Sequence, residues 1–126
     1  MVSRMPSLVG VLAVLAACDP DFRFEGSVLD TTGHPIVGAE TEIQCATTFA
    51  EAITDSVGRF SRLRAGWCPD TCTIEVHSAG YRPWTAPVRG YCKTRPAHLR
   101  DACVDVDADI VMTAIPGAPV VLPSGK

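Results

Sequence analysis

Hydrophobic and polar residues alternate along several short stretches of the chain, and a period of two is typical of β-strands with one buried face. The clearest alternation covers residues 104–112, where three aspartates oppose five apolar side chains. Weaker alternations predict strands at residues 22–29, 39–45, 72–77 and 84–88, and two short strands on either side of residues 55–58. Residues 46–52 instead predict a loop with at most a weak helical turn. The pattern indicates an all-β sandwich.

Turn-forming residues separate these predicted strands. Residues 30–35 read Asp-Thr-Thr-Gly-His-Pro, in which the aspartate and the glycine favour a reversing turn. Residues 26–43 therefore predict a strand, a turn and a second strand, and residues 55–59 and 78–84 predict two further turns.

The first 17 residues have the pattern of an export signal. Arg4 supplies a basic start, residues 8–15 are apolar, and two alanines precede Cys18. The apolar run is much shorter than the roughly 20 residues that a membrane-spanning helix needs. We therefore expect residues 1–17 to be a cleaved signal peptide.

The sequence Leu15-Ala16-Ala17-Cys18 resembles the lipobox of bacterial lipoproteins. The resemblance implies that Cys18 becomes the lipidated first residue, carrying palmitate-type acyl chains, and that residues 18–23 form a tether. Two or three acyl chains on one residue hold a protein on a membrane far more firmly than one chain does. The expected location is the bacterial cell envelope, with the anchor in the inner or the outer membrane.

Composition and charge fit one small globular domain without a nucleic-acid partner. The 126-residue chain is 47% hydrophobic, has a formal net charge of −3, and contains no cluster of lysines and arginines. Residues 114–126 are rich in proline and glycine, which predicts a flexible tail after the domain.

Four segments in order resemble the carboxypeptidase regulatory-like domain: residues 26–30, 33–39, 54–60 and 74–81. The resemblance implies a seven-stranded, Greek-key β-sandwich of transthyretin (prealbumin) type, here spanning residues 24–113. It also implies a non-catalytic structural or binding module without a cofactor or a metal, because a fold of this kind does not by itself carry chemistry.

Five cysteines follow Cys18, and export favours disulfides among them while leaving one thiol free. The predicted topology places all five at one end of the sandwich. Cys45 and Cys72 also share the buried parity of neighbouring isoleucines. We favour the pairs Cys45–Cys72 and Cys92–Cys103 with Cys68 free, although pairing of Cys68 with Cys92 or Cys103 and a zinc site at Cys68 and Cys72 stay open.

The three predicted turns should meet at the opposite end of the sandwich. They would bring together the side chains of His34, Arg59, Tyr81 and Trp84. Aromatic groups beside polar ones suit contact with an envelope glycan or a protein, but the same aromatics also suit a lid over the core.

The alternative function is a small metalloenzyme that resembles the intradiol ring-cleaving dioxygenases. Their similar sandwich binds ferric iron through two tyrosines and two histidines, with an Arg-Pro-X-His-X-His run. Residues 95–100 read Arg-Pro-Ala-His-Leu-Arg, and Tyr81, Tyr91 and His77 are also present. Arg100 replaces the second histidine, however, and the run falls outside the expected strand. We therefore expect no enzymatic activity.

Overall fold

The computed structural model describes residues 21–117, which form ten β-strands and a short 3-10 helix at Val88–Gly90. The strands are β1 (Asp21–Asp30), β2 (Glu40–Gln44), β3 (Thr48–Ile53), β4 (Arg59–Ala65), β5 (Cys68–Pro69), β6 (Thr73–His77), β7 (Trp84–Pro87), β8 (Cys92–Thr94), β9 (Ala102–Cys103) and β10 (Asp105–Met112).

Two four-stranded sheets form a sandwich, which confirms the predicted all-β class. One sheet, called sheet A, has the order β4-β1-β10-β8, and the other, sheet B, has the order β3-β2-β6-β7. The strand count is ten rather than the predicted seven. The three additional strands are β8, which pairs with β10 at the edge of sheet A, and the two-residue strands β5 and β9, which pair as a separate ribbon in the cysteine-rich loops.

The parallel pair β1 and β10 forms the centre of sheet A. Their alternating residues confirm the strand predicted at residues 104–112: Val106, Ala108, Ile110 and Met112 are buried, and Asp109 is exposed. Gly26 of β1 lies opposite Ala108, and a Cβ atom at this glycine would lie 1.9 Å from the Ala108 carbonyl oxygen. The close approach of the two strands therefore requires glycine at position 26.

Aromatic and aliphatic side chains from both sheets fill the space between them. The rings of Phe24 and Phe60 pack at 4.8 Å within sheet A, and Phe22 meets Phe49 of sheet B edge to face at 4.9 Å. The buried hydroxyl of Thr54 donates to the Ile36 carbonyl and accepts from the Ala39 amide, so the connection between β1 and β2 is fixed to the core.

The extents of β3 and β1 differ from the predictions. Residues 46–52, predicted as a loop, contain most of β3, which pairs with β2 through a register shift near Gln44. The predicted order of strand, turn and strand over residues 26–43 is confirmed, and the turn leads from β1 in sheet A to β2 in sheet B. Strand β1 includes Asp21 and buries Phe22, two residues that the prediction assigned to the tether at residues 18–23.

The ends of the chain are described only in part. Residues 1–20, which include the predicted signal peptide and Cys18, and residues 118–126 lie outside the described residues. Ala114, at the start of the predicted tail, forms a bridge with Tyr81, and the Ile115 amide donates to the Gly80 carbonyl. Within residues 21–117 no helix has the length and apolar character needed to cross a membrane.

Candidate functional site

The first turn of the predicted binding surface is organised by the carboxylate of Asp30. Its Oδ1 atom accepts hydrogen bonds from the Thr32 hydroxyl at 2.7 Å and from the amides of Thr32 and His34. These bonds, the Thr32 hydroxyl first, lower the pKa of Asp30. The charged carboxylate of Asp30 therefore stabilises the folded state. This contribution is fully present at a pH above 3.8, the ordinary pKa of the group, and is lost as the pH falls through the lowered pKa. The His34 side chain remains 78% exposed.

The second turn repeats this arrangement and contacts the first. Asp55 accepts hydrogen bonds from the amides of Arg59 and Val57, and these bonds lower its pKa. Gly58 has a φ of 78° and lies so close to Pro35 that an added Cβ atom would come within 2.8 Å of the proline Cβ. The two turns are thus joined, with the side chains of His34 and Arg59 exposed to solvent.

The third turn reaches the same end of the sandwich through the end of β10. Met112 is opposite Asp30 in the sheet register, and the next residues hold the turn: the Thr113 carbonyl accepts from the Arg82 amide, and Ala114 bridges Tyr81. All three turns therefore lie at one end, which we call the turn pole.

Of the two aromatic residues predicted for this surface, Trp84 packs against a third aromatic ring. Trp84 is half-buried at the start of β7 and meets Tyr91 edge to face, with ring centroids 5.5 Å apart. Tyr81 is half-buried as well, and its backbone is held against Ala114. The sequence analysis did not include Tyr91 in this surface, because Tyr91 follows the 3-10 helix and only the fold brings it to Trp84.

The cysteines form the bonds favoured from the sequence. Cys45 is bonded to Cys72 and Cys92 to Cys103, and Cys68 is free and buried. Burial, followed by the charge of Asp70, raises the pKa of the Cys68 thiol to about 11. Because a thiol rather than a thiolate is then present at neutral pH, Cys68 is a poor nucleophile and a poor metal ligand in the folded protein.

The Arg-Pro-Ala-His-Leu-Arg run lies in the loop between β8 and β9. Arg95 donates to an Asp70 carboxylate oxygen at 2.8 Å and to the Arg100 carbonyl at 3.1 Å, while His98 is exposed. These contacts show that the arginine fastens the loop to the neighbouring β5–β6 connection.

A separate group of polar residues lies on the solvent-facing side of sheet B. Glu42 on β2 is opposite Glu75 on β6, and His77 follows two residues later on the same face of β6. One ligand atom from each of these side chains lies within 4.8 Å of the other two. The sequence showed that each strand has a polar face, but the register that joins the two faces is a property of the folded sheet.

Comparison with known proteins finds similarity at the level of the fold. No protein-family model matches the sequence, and a search of curated proteins found no match. The hydroxyquinol 1,2-dioxygenase from Pseudomonas putida DLL-E4 is 18% identical, with a TM-score of 0.52, and the match covers 76% of this chain and 57% of that chain. The wild-type catechol 1,2 dioxygenase from Acinetobacter radioresistens is 15% identical, with a TM-score of 0.53 over 88% of this chain and 58% of that chain.

The chain therefore spans less than two thirds of the length of these enzymes. At such identities the similarity shows a shared sandwich fold alone.

Proposed function

We propose that the protein is an exported bacterial lipoprotein whose carboxypeptidase regulatory-like β-sandwich is a non-catalytic structural or binding module. Cys18 carries the lipid and holds the domain on the inner or outer membrane. The turn pole contacts an envelope glycan or a protein partner. Neither a cofactor nor nucleic acid takes part.

The observation that carries this proposal is the pair of disulfides within so small a domain. Disulfides persist in oxidising compartments such as the periplasm and are rare in the cytosol. Cys18 precedes the first residue of β1 by three positions, and β1 starts at the end of sheet A where β10 also starts. A lipid on Cys18 would therefore hold that end of the sandwich near the membrane, and the turn pole would point away from it.

The electrostatics of the described residues support a binding module over an enzyme. Catalytic groups are commonly marked by a pKa that a cleft and a charged neighbour shift together. Here the shifted groups have structural explanations: Asp30 and Asp55 bind turn amides, Cys68 is buried, and Lys93 has a raised pKa because it donates to Asp107 and is attracted by its charge.

The second candidate function is a ring-cleaving metalloenzyme, which is favoured by the fold similarity to catechol and hydroxyquinol 1,2-dioxygenases. The residues of this chain do not fit an iron site of two tyrosines and two histidines. His77 contacts Glu75 on the outer face of sheet B, Tyr91 packs against Trp84, and His98 is in the exposed loop after β8.

Iron content and oxygen uptake separate the two candidates. We expect the protein, purified without chelators, to contain far less than one iron per chain and to consume no oxygen when catechol or hydroxyquinol is added. About one iron per chain together with substrate-dependent oxygen uptake, lost in Tyr81→Phe or Tyr91→Phe, would establish the enzyme instead.

Binding at the turn pole is tested with two substitutions of different structural weight. Trp84→Ala removes a half-buried ring and its contact with Tyr91, so we expect a loss of about 2 kcal/mol in unfolding free energy. His34→Ala changes an exposed side chain, and we expect a change within about 0.5 kcal/mol. We expect both variants to be retained less than the wild type on peptidoglycan or envelope extracts.

Thermal unfolding and pull-down on the same samples give both readouts. Thr85→Ala, an exposed position next to Trp84 on β7, is the matched control for retention. Lost stability in Trp84→Ala with unchanged retention in both variants would show that the turn pole is purely structural.

A further inference from the structure

The solvent-facing side of sheet B brings together two carboxylates and an imidazole. On β6, Glu75 and His77 are two residues apart and therefore point to the same side of the sheet. On β2, Glu42 is the register partner of Glu75, and Glu40 is the partner of His77. Because the opposite faces of these strands carry the buried Thr41, Ile43, Ile74 and Val76, the three polar groups are fixed on the outer face by the packing of the core.

Like charges are concentrated along this face. Glu42 is opposite Glu75 on one side and opposite Glu51 of β3 on the other, so three glutamates form a row across three strands. Like charges directly opposite each other in a sheet are destabilising. Among the ion pairs of residues 21–117, the row is contacted by His77, whose Nε2 atom lies 3.5 Å from Glu75, while Lys93 and Arg95 pair with aspartates elsewhere. Within the same range, Arg62 of β4 lines a surface depression with Glu42 and Glu51 but forms no ion pair with them. A bound cation would relieve the repulsion.

The ligand atoms already have the spacing of a metal site. Zinc binds imidazole nitrogen and carboxylate oxygen at about 2.0–2.2 Å, so two ligands at a tetrahedral centre are roughly 3.4 Å apart. The Nε2 atom of His77 lies 3.5 Å from the Oε1 atom of Glu75. The ligand atom of Glu42 lies within 4.8 Å of both, a separation that a rotation of its flexible side chain closes.

The mixture of donors indicates the class of metal. Calcium requires six to eight oxygen ligands, whereas imidazole together with carboxylate suits zinc and other first-row divalent ions. Three protein ligands on an open sheet surface leave the fourth position of a tetrahedral ion free for water or for a donor group from a partner.

We propose that Glu42, Glu75 and His77 form a surface site for a zinc-type divalent cation with one open coordination position. This site uses residues different from the two-tyrosine, two-histidine set considered above. It depends neither on the lipid anchor nor on the turn pole. A failure of this proposal would therefore leave the proposed function unaffected, and the reverse also holds.

Isothermal titration calorimetry with zinc chloride tests the site. The purified protein is first stripped of any bound metal and then titrated. We expect one zinc per chain, with calcium binding far more weakly. His77→Asn and Glu75→Gln should each weaken zinc binding by about tenfold or more, since even partners outside the metal's own ligand shell are worth 10- to 100-fold in affinity. His98→Asn removes an exposed histidine from a loop and should leave the affinity unchanged.

The Glu42→Gln variant shows whether Glu42 binds the metal or has only a structural role. Without metal it removes charge repulsion, so the melting temperature should rise above that of the wild type. With zinc present, the increase in melting temperature that the wild type shows should be largely lost in this variant. Equal zinc binding by His77→Asn and His98→Asn, or no zinc binding by the wild type, would overturn the proposal.

Discussion

Gly26→Ala is expected to disrupt the sandwich, because a methyl group at this position would overlap the backbone of the neighbouring strand. The added Cβ atom would lie 1.9 Å from the Ala108 carbonyl oxygen and 2.8 Å from its carbon, far inside van der Waals contact. Neither β1 nor β10 can move away freely, because both are inner strands of sheet A. Strand β1 is also paired with β4, and β10 is also paired with β8. We expect a loss of about 3 kcal/mol or more in unfolding free energy, which corresponds to a fall in melting temperature of more than about 10 °C.

Gly90→Ala is the matched control for this substitution. Gly90 ends the 3-10 helix with no positive φ, and a Cβ atom there would meet nothing within 4 Å. Thermal unfolding of the two variants should therefore give a large decrease for Gly26→Ala and little change for Gly90→Ala. Similar melting temperatures for Gly26→Ala and the wild type would contradict the close pairing of β1 and β10.

Removing either disulfide should also destabilise the domain strongly, and the Cys45–Cys72 bond should matter more. It joins residues 27 apart, whereas the Cys92–Cys103 bond joins residues 11 apart. By loop-closure entropy, the losses are about 3.6 and about 2.8 kcal/mol respectively. The double variants Cys45→Ala/Cys72→Ala and Cys92→Ala/Cys103→Ala test this order by urea unfolding.

The two double variants are closely matched in packing. One variant removes the buried Cys72 and the half-buried Cys45. The other removes the buried Cys103 and the half-buried Cys92. The costs of the cavities should therefore be similar, and the difference of about 0.8 kcal/mol should reflect loop length. A larger loss in the Cys92 and Cys103 variant would show that local packing, rather than the entropy of the unfolded chain, determines the contribution of these bonds.

Strand periodicity was a reliable guide where a strand has one buried and one exposed face. The strands at residues 73–77 and 105–112 follow the predicted alternation, since Ile74, Val76, Val106 and Ala108 are buried between the sheets. In β3 the pattern is less regular: β3 is an edge strand, its register with β2 shifts near Gln44, and Ile53 is exposed. The sequence of β3 therefore lacks a clear alternation, and residues 46–52 were predicted as a loop.

Turn chemistry identified where the chain reverses but not which strands then pair. Asp30 and Asp55 cap the turns that their residue types predict, yet each turn connects strands that lie in different sheets. The contact between Trp84 and Tyr91 and the grouping of Glu42, Glu75 and His77 both depend on the relative position of separate strands. A single sequence without related sequences does not contain that register.

The cysteine pairing was accessible from the sequence because parity and topology restrict it together. Cys45 continues the β2 alternation that contains Ile43, and Cys72 precedes the β6 alternation that contains Ile74. The register confirms that Ile43 and Ile74 are opposite each other, which places the two cysteines at the same end of this strand pair.

Incorporation of a radioactive fatty acid at Cys18 is the most direct test of the central claim, that the domain is a lipid-anchored module of the cell envelope. We predict labelling of the wild-type protein, found in the membrane fraction, and no labelling of Cys18→Ala. The variant domain should still fold with both disulfides, because Cys18 lies before the first strand. Equal incorporation into the wild type and Cys18→Ala, or no incorporation into either, would contradict the account.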